Sequence, residues 1–273
     1  MNPMTATRAN IADILCIGAQ RAMTSWLHRV LSAHPRLWAF PDFDPVTSTR
    51  KEAHYWDWNH HRGADWYRVL MTPPDDPTRL SMDFTPEYAR LRDPEIGECK
   101  SLNPTARVIY ILRDPLARAV SALRMHALWD SDNAAPQALE IGLDERFFAL
   151  MKRARLLDHG DYAENHRRWA RHYPDMLVLN HETLRADPLA GAQQVLAQLG
   201  LSCDDLPEPA RSELDTRAAN RVWQAPRYPF TPDALNFLHG MMWREREEAE
   251  AQLGLRFDEW REVLEQADQE DGK

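Results

Sequence analysis

At 273 residues, with 44% hydrophobic and 27% charged positions, the chain has the composition of a folded protein with one sizeable core, which opposes disorder as its general state. A formal charge of −9 argues against a broad nucleic-acid surface, although a few arginines at one helix end can still make a local anion pocket. Cys16, Cys99 and Cys203 are odd in number and far apart, giving neither a disulfide framework nor a metal-binding run, and no apolar stretch approaches the ~20 residues needed to cross a bilayer.

Short apolar runs alternate with amphipathic stretches along the chain. Ile14 to Ile17 is strand-like and ends at Gly18; the small, polar segment Ala19 to Ser25 follows; Trp26, Leu27, Val30 and Leu31 then have the spacing of a buried helical face, stopped by His34-Pro35. Leu37 to Phe40 and Leu80 to Thr85 read as brief strands, Thr72 to Thr78 as a turn and Asp93 to Cys99 as a connection. Asp42 to Asn59 follows neither core periodicity, so a cleft wall and a helix start with inward aromatics both fit.

Ala106 to Leu112 is the clearest central strand, apolar enough to be covered on both faces. Asp114 is a good cap and Pro115 a good first-turn residue for a helix whose inner face is Leu116, Val120, Leu123 and Ala127. Asn133 to Gly142 reads as irregular, and Asp144 to Tyr173 as mostly helical with a break near Gly160. Met176 to Leu179 is another strand, Leu189 to Leu199 a helix stopped by Gly200, Ser202 to Phe230 turn-rich, and Pro232 to Leu253 helical. The alternation predicts an α/β fold, a P-loop-like, mostly parallel five-stranded sheet flanked by helices. One domain is expected over 1–273, with 205–273 an irregular segment and helical extension within it.

Two segments suit anions. In Gly18-Ala19-Gln20-Arg21-Ala22-Met23-Thr24-Ser25 the backbone N–H groups at the helix start lack intrahelical partners and the helix dipole favours negative charge. Arg21 and the Thr24 and Ser25 hydroxyls add donors beside the Ala22 and Met23 backbone. A GK[ST] ending is missing, which separates this loop from the nucleotide-triphosphatase kind, and a plain cap by Thr24 and Ser25 competes with a phosphate cradle. In the second segment Arg113 ends the best strand, where open α/β sheets bind ligands, and Ser121 lies about two turns into the next helix. Its competing reading is a capped helix with surface arginines.

These motifs resemble the sulfotransferases that use 3′-phosphoadenosine 5′-phosphosulfate, closest to the carbohydrate, heparan-sulfate type. GAQRAMTSWL resembles their 5′-phosphosulfate loop, YILRDPLARAVSAL their 3′-phosphate loop, and KEAHYWDWNHHRGADWYRVLM a substrate-side segment. The likeness runs from about Ile14 through Leu199. It implies that Arg21, Ala22, Met23, Thr24 and Ser25 hold the 5′ end of the donor, that Arg113 and Ser121 hold the 3′-phosphate, and that adenosine 3′,5′-bisphosphate is released.

Glu52, in Lys51-Glu52-Ala53-His54, matches the family's general base, with Arg21 and His54 the other catalytic candidates. His54 reads as an orienting partner or as a packed polar edge. Lys51, Tyr55, Trp56, Asp83 and Phe84 are the substrate-side candidates, each with a competing core or surface reading. Two positions depart from the family: Arg21 stands where Lys is usual, and Phe84 where Lys is common, the second arguing against a highly sulfated polysaccharide. Gly160-Asp161-Tyr162 and Trp169 resemble later family positions, and Arg217 or Arg221 is a late-loop nucleotide contact without a secure match.

The expected partner is a glycan, glycolipid or small hydroxylated acceptor, with no metal, no nucleic acid and no transmembrane segment. The Glu-rich tail suits either a homodimer surface or a solvated face. The amino terminus lacks a secretory pattern, so a cytoplasmic location is expected. The competing functions are a non-catalytic nucleotide or sulfated-ligand binder, a P-loop kinase, and a purely structural α/β protein.

Overall fold

The computed structural model describes residues 9–41, 51–130, 140–204, 206–220 and 227–271, with side chains through residue 265. Five strands, β1 (Ile14–Gly18), β2 (Leu37–Ala39), β3 (Leu80–Asp83), β4 (Arg107–Leu112) and β5 (Leu177–Asn180), form one sheet in the order β2-β3-β1-β4-β5. Every pairing is parallel, as the unbroken apolar runs predict. β1 is buried throughout and pairs with β3 through Ile14 and Met82 and with β4 through Leu15 and Val108. The helices between the strands are α1 (Thr24–Leu31), α2 (Gly63–Met71), α3 (Asp93–Leu102), α4 (Pro115–Asp130), α5 (Glu145–Arg153), α6 (Leu156–Gly160) and α7 (Tyr162–His172). After β5 come α8 (His181–Ala186), α9 (Pro188–Gln198), α10 (Glu208–Ala219), α11 (Pro232–Leu253) and α12 (Glu259–Asp271).

The chain leaves β1 towards β2 and β3 on one side and leaves β4 towards β5 on the other. Adjacent strands whose connections diverge make a crevice at their carboxyl ends, the usual ligand position in an open α/β sheet. Here that crevice lies between the loop after Gly18 and the turn after Leu112. The Ala19 N–H donates to the Ile111 carbonyl at 2.6 Å, binding the two connections together.

α1 buries Trp26, Leu27, Val30 and Leu31. α4 begins as expected: Asp114 Oδ1 accepts from the Ala117 N–H at 2.9 Å, and Leu116, Val120, Leu123 and Ala127 are buried. They join Leu238 and Met242 of α11 in a second apolar cluster beside the sheet core. Fully burying such a side chain contributes about 1.5–3 kcal/mol, so this cluster is a substantial fastening for α11.

Two expectations fail. Asp93 to Cys99 is no connection but the start of α3, opened by Pro94 in its first turn and by Glu95 accepting from the Arg92 N–H at 2.7 Å. Within the turn-rich region, 208–219 forms α10, which buries only Leu214 and Ala218 and so carries almost no periodic signal. Trp26 Nε1 donates to the Ala218 carbonyl at 3.1 Å and docks α10 on α1. Most of the irregular stretch expected at Asn133 to Gly142 lies outside the described residues.

Candidate active site

The N-cap of α1 is Met23, in the left-handed region at φ 67°, and it makes no side-chain cap hydrogen bond. Thr24 and Ser25 therefore do not make the plain cap, and among the described residues no side chain is seen accepting from the first-turn N–H groups. Arg21, also left-handed at φ 71°, sends its side chain towards α4, donating from Nε to Ser121 Oγ at 3.0 Å and from Nη1 to Met125 Sδ at 3.7 Å. Burial, then the Arg113 charge, lowers its guanidinium to about 10, so it remains a cation at neutral pH. Arg113 donates from Nη1 to the Arg21 carbonyl at 3.1 Å. The structure thus gathers Arg21, Arg113 and Ser121 at the β1–β4 crevice, although 100 residues separate Arg21 from Ser121.

The segment after β2 brings the acid–base groups together. Lys51 Nζ pairs with Glu52 Oε1 and donates to the Phe84 carbonyl at 3.2 Å, while the Phe84 N–H donates to the Lys51 carbonyl at 2.7 Å. His54 bridges two carboxylates: Nε2 lies 3.1 Å from Glu52 Oε2 and Nδ1 lies 2.8 Å from Asp57 Oδ2. Burial pulls the His54 imidazole down, but Asp57 and Glu52 outweigh it and push the ring up to about 9. Burial pulls the Glu52 carboxyl up, but Lys51 and His54 outweigh it and hold it at about 2. The resting site is therefore an ionised carboxylate between an ammonium and an imidazolium.

Asp57 is a member of the site that the sequence reading misses. Its signal is local, since a carboxylate three residues beyond a histidine can hold the ring nitrogen facing away from the base. Trp58 stacks on His54 with centroids 3.6 Å apart and planes 6° from parallel, and is 52% exposed, so its outer face is open. His28 of α1 is buried, its ring edge on Phe84, and burial together with Lys51 lowers its pKa to about 3. Lys51 and Glu52 consequently lie within electrostatic reach of α1.

Of the substrate-side candidates, Lys51 reaches the site directly, whereas Tyr55, Trp56, Asp83 and Phe84 are buried. Asp83 is a hub beneath it: Oδ1 accepts from the Ala53 N–H at 3.1 Å and Thr85 Oγ1 at 2.6 Å, and Oδ2 accepts from Tyr67 Oη at 2.8 Å and Tyr88 Oη at 2.9 Å. Tyr88 Oη in turn accepts from the Tyr55 N–H at 2.7 Å. Tyr55 stacks on Tyr67 at 4.7 Å, and Trp56 meets Tyr67 and Tyr88 edge-on at 5.2 Å each. Farther on, Tyr162 Oη donates to the Arg113 carbonyl at 2.9 Å, and Trp169 Nε1 to the Tyr88 carbonyl at 2.9 Å, so both buttress the crevice from below. Arg217 donates to the Arg29 carbonyl at 2.8 Å and pairs with Glu213 on α10, while Arg221 lies outside the described residues.

Comparison with known proteins agrees with this architecture. A family model described as a sulfotransferase domain matches residues 12–224. Heparan sulfate glucosamine 3-O-sulfotransferase 3B1 of Mus musculus is 28% identical over 200 residues, covering 70% of this chain and 46% of that protein. Bifunctional heparan sulfate N-deacetylase/N-sulfotransferase 2 of Homo sapiens is 27% identical over 210 residues, covering 70% of this chain and 22% of that protein. The match thus spans less than half the length of either relative. Among solved structures, a sulfotransferase from Alicyclobacillus acidocaldarius shares the fold with a TM-score of 0.66 at 19% identity, covering 92% of this chain and 98% of that one. With the domain match spanning 213 residues (12 through 224) and the same parallel sheet beneath it, the chain belongs to the sulfotransferase-domain family.

Proposed function

We propose that the chain transfers a sulfuryl group from 3′-phosphoadenosine 5′-phosphosulfate to a hydroxyl, or less readily an amine, of a glycan, glycolipid or small hydroxylated metabolite. The observation carrying this reading is the convergence of an uncapped helix start, two arginines and a serine at one sheet crevice, with an ionised carboxylate on the neighbouring segment. The donor set fits a molecule with two separated anionic ends: Arg21, Thr24, Ser25 and the Ala22–Met23 backbone for the 5′ end, Arg113 and Ser121 for the 3′-phosphate. When bound, the donor supplies an electrophilic sulfur and a phosphate leaving group.

Glu52 holds the acceptor O–H and takes its proton as the new S–O bond forms. His54 is an imidazolium at neutral pH, so its role is to orient Glu52. A carboxylate held at about 2 is always ionised but weakly basic. It gains basicity when Lys51 shifts its ion pair from Glu52 to the sulfuryl oxygens, and Arg21 meets the charge growing on the leaving phosphate. Trp58 offers its open face to the acceptor, whereas Tyr55, Trp56, Asp83 and Phe84 hold the segment in place from beneath. The carboxyl-terminal helices belong to the same working unit. Among the described residues no helix is long and apolar enough to cross a membrane.

Calorimetric titration with adenosine 3′,5′-bisphosphate, with AMP as the control lacking the 3′-phosphate, tests the donor site. Saturable binding selective for the bisphosphate is expected, weakened about tenfold in Arg113→Ala. Glu52→Gln keeps that binding while transfer falls by about 10²–10⁴. Equal binding of both nucleotides, or none to folded protein, would overturn the reading.

A further inference from the structure

Arg113, to which the proposed donor site assigns the 3′-phosphate, is already gripped by an anion belonging to the chain. Glu259 is the first residue of α12. Its Oε2 accepts from Arg113 Nε at 2.9 Å and its Oε1 from Arg113 Nη2 at 2.5 Å, a side-on bidentate pair between residues 146 apart. Two further groups converge on the same carboxylate, His181 Nδ1 at 3.3 Å from Oε2 and Arg185 Nη1 at 3.6 Å from Oε1. Glu259 is 5% exposed.

With the Arg21 carbonyl on Nη1, three of the five N–H donors of Arg113 are committed to the chain. Asp114 lies within electrostatic reach of Glu182 and Glu259, Arg185 is also paired with Glu262 at 2.7 Å, and Ser121 is engaged by Arg21 at 3.0 Å. A phosphate entering beside the Glu259 carboxylate meets like charge at close range, where scarce water screens the repulsion poorly.

Polar contacts hold the start of α12, with Phe257 buried just before it and Arg246 over the Trp260 ring at 4.5 Å. Glu182 accepts from the Asp258 N–H at 2.9 Å and from the Glu259 N–H at 3.1 Å, and Asn180 Nδ2 donates to the Arg256 carbonyl at 2.7 Å. Trp260, which stacks on His239 at 5.4 Å, is only partly buried against the second apolar cluster, as are Val263 and Leu264. Among the described residues of α12 no apolar side chain is fully buried, and such a helix opens at lower free-energy cost than one in the core.

The geometry points to an autoinhibitory contact: the Glu259 carboxylate occupies the edge of Arg113 that a 3′-phosphate would use, so donor binding and docking of α12 compete for one arginine. The inference rests on the donor-site reading above. It makes the resting protein a closed state whose affinity for a 3′-phosphorylated nucleotide is reduced by the fraction of molecules with α12 undocked.

Titrating the full chain and Glu259→Gln with adenosine 3′,5′-bisphosphate tests this, with thermal melts confirming that both are folded. Glu259→Gln is expected to bind about tenfold more tightly than wild type if α12 is docked about nine-tenths of the time. The gain should vanish when Arg113→Ala is added. A second measurement needs no variant: saturating bisphosphate should accelerate amide hydrogen exchange in α12 of the wild type. Equal or weaker binding by Glu259→Gln, or α12 exchange slowed or unchanged in the bound wild type, would overturn the competition while leaving the donor site standing. If neither protein binds the bisphosphate, the donor site falls and the competition with it.

Discussion

Replacing Asp83 with asparagine tests the claim that the Lys51–His54 segment is shaped from beneath. Each Asp83 oxygen accepts two hydrogen bonds, from the Ala53 N–H and Thr85 Oγ1 on one side and from the Tyr67 and Tyr88 hydroxyls on the other. An amide nitrogen cannot accept, so whichever way the new side chain is turned, the Asp83→Asn protein loses two of the four. Hydrogen bonds to a charged acceptor contribute about 1.5–3 kcal/mol each, giving a gross loss of roughly 3–6 kcal/mol. Burial raises the Asp83 carboxyl pKa, with the four donors only partly opposing it, so a neutral amide recovers some desolvation cost. The expected net loss is about 2–4 kcal/mol by urea unfolding, or roughly 5–15 °C in Tm. Tyr67→Phe removes one of the four bonds and should cost about 1–2 kcal/mol. An Asp83→Asn protein within about 1 kcal/mol of wild type, or one no worse than Tyr67→Phe, would refute the hub.

Three further outcomes follow from the site. His54, raised from 6.5 to about 9, contributes stability that is fully present below pH 6.5 and lost as pH rises through 9. Wild type should thus lose up to about 3 kcal/mol more than His54→Gln between about pH 6 and 10, and parallel stability profiles for the two would rule this out. Asp57→Asn should return the His54 titration, followed by ring NMR, towards 6.5, whereas an unmoved midpoint would assign the shift elsewhere. Gly18→Ala should lower stability by about 1–3 kcal/mol in thermal melts, because φ is +146° and a Cβ there would lie 3.1 Å from the Pro86 carbonyl and 3.3 Å from Ala89 Cβ. An unchanged melting point would show that the β1 end has room to adjust.

What was legible in the sequence was local. β1 and β4 are continuous apolar runs, and Asp114-Pro115 supplies both a cap and a first-turn proline, so two strand–loop–helix units and their anion-ready ends could be read directly. α3 and α10 escaped because polar residues dominate each, only Ile96 with Cys99 and Leu214 with Ala218 being buried. The aromatics of KEAHYWDW could not be divided between cleft and core by pattern, since tyrosine and tryptophan serve both. The division came from Tyr67 and Tyr88, which lie outside the segment and draw Tyr55 and Trp56 inward while Trp58 stays exposed.

The charge state of the site was legible only in part, for a related reason. Glu52, His54 and Asp57 are neighbours in sequence, but the ionisation of Glu52 and His54 depends on burial, which makes each partner's charge count for more than it does in water. Arg113 and Glu259 are not neighbours in any sense before folding. In a chain carrying a net −9, the cations on and beside the site are matched internally: Lys51 with Glu52, Arg113 with Glu259, Arg185 with Glu262. On the proposed donor-site reading, an anionic ligand that takes Lys51 or Arg113 enters by exchange, displacing Glu52 or Glu259 from that cation. Specificity then comes from the difference between two anions at the same guanidinium, and a ligand with two correctly spaced anionic ends can offset two such displacements where a single phosphate offsets one.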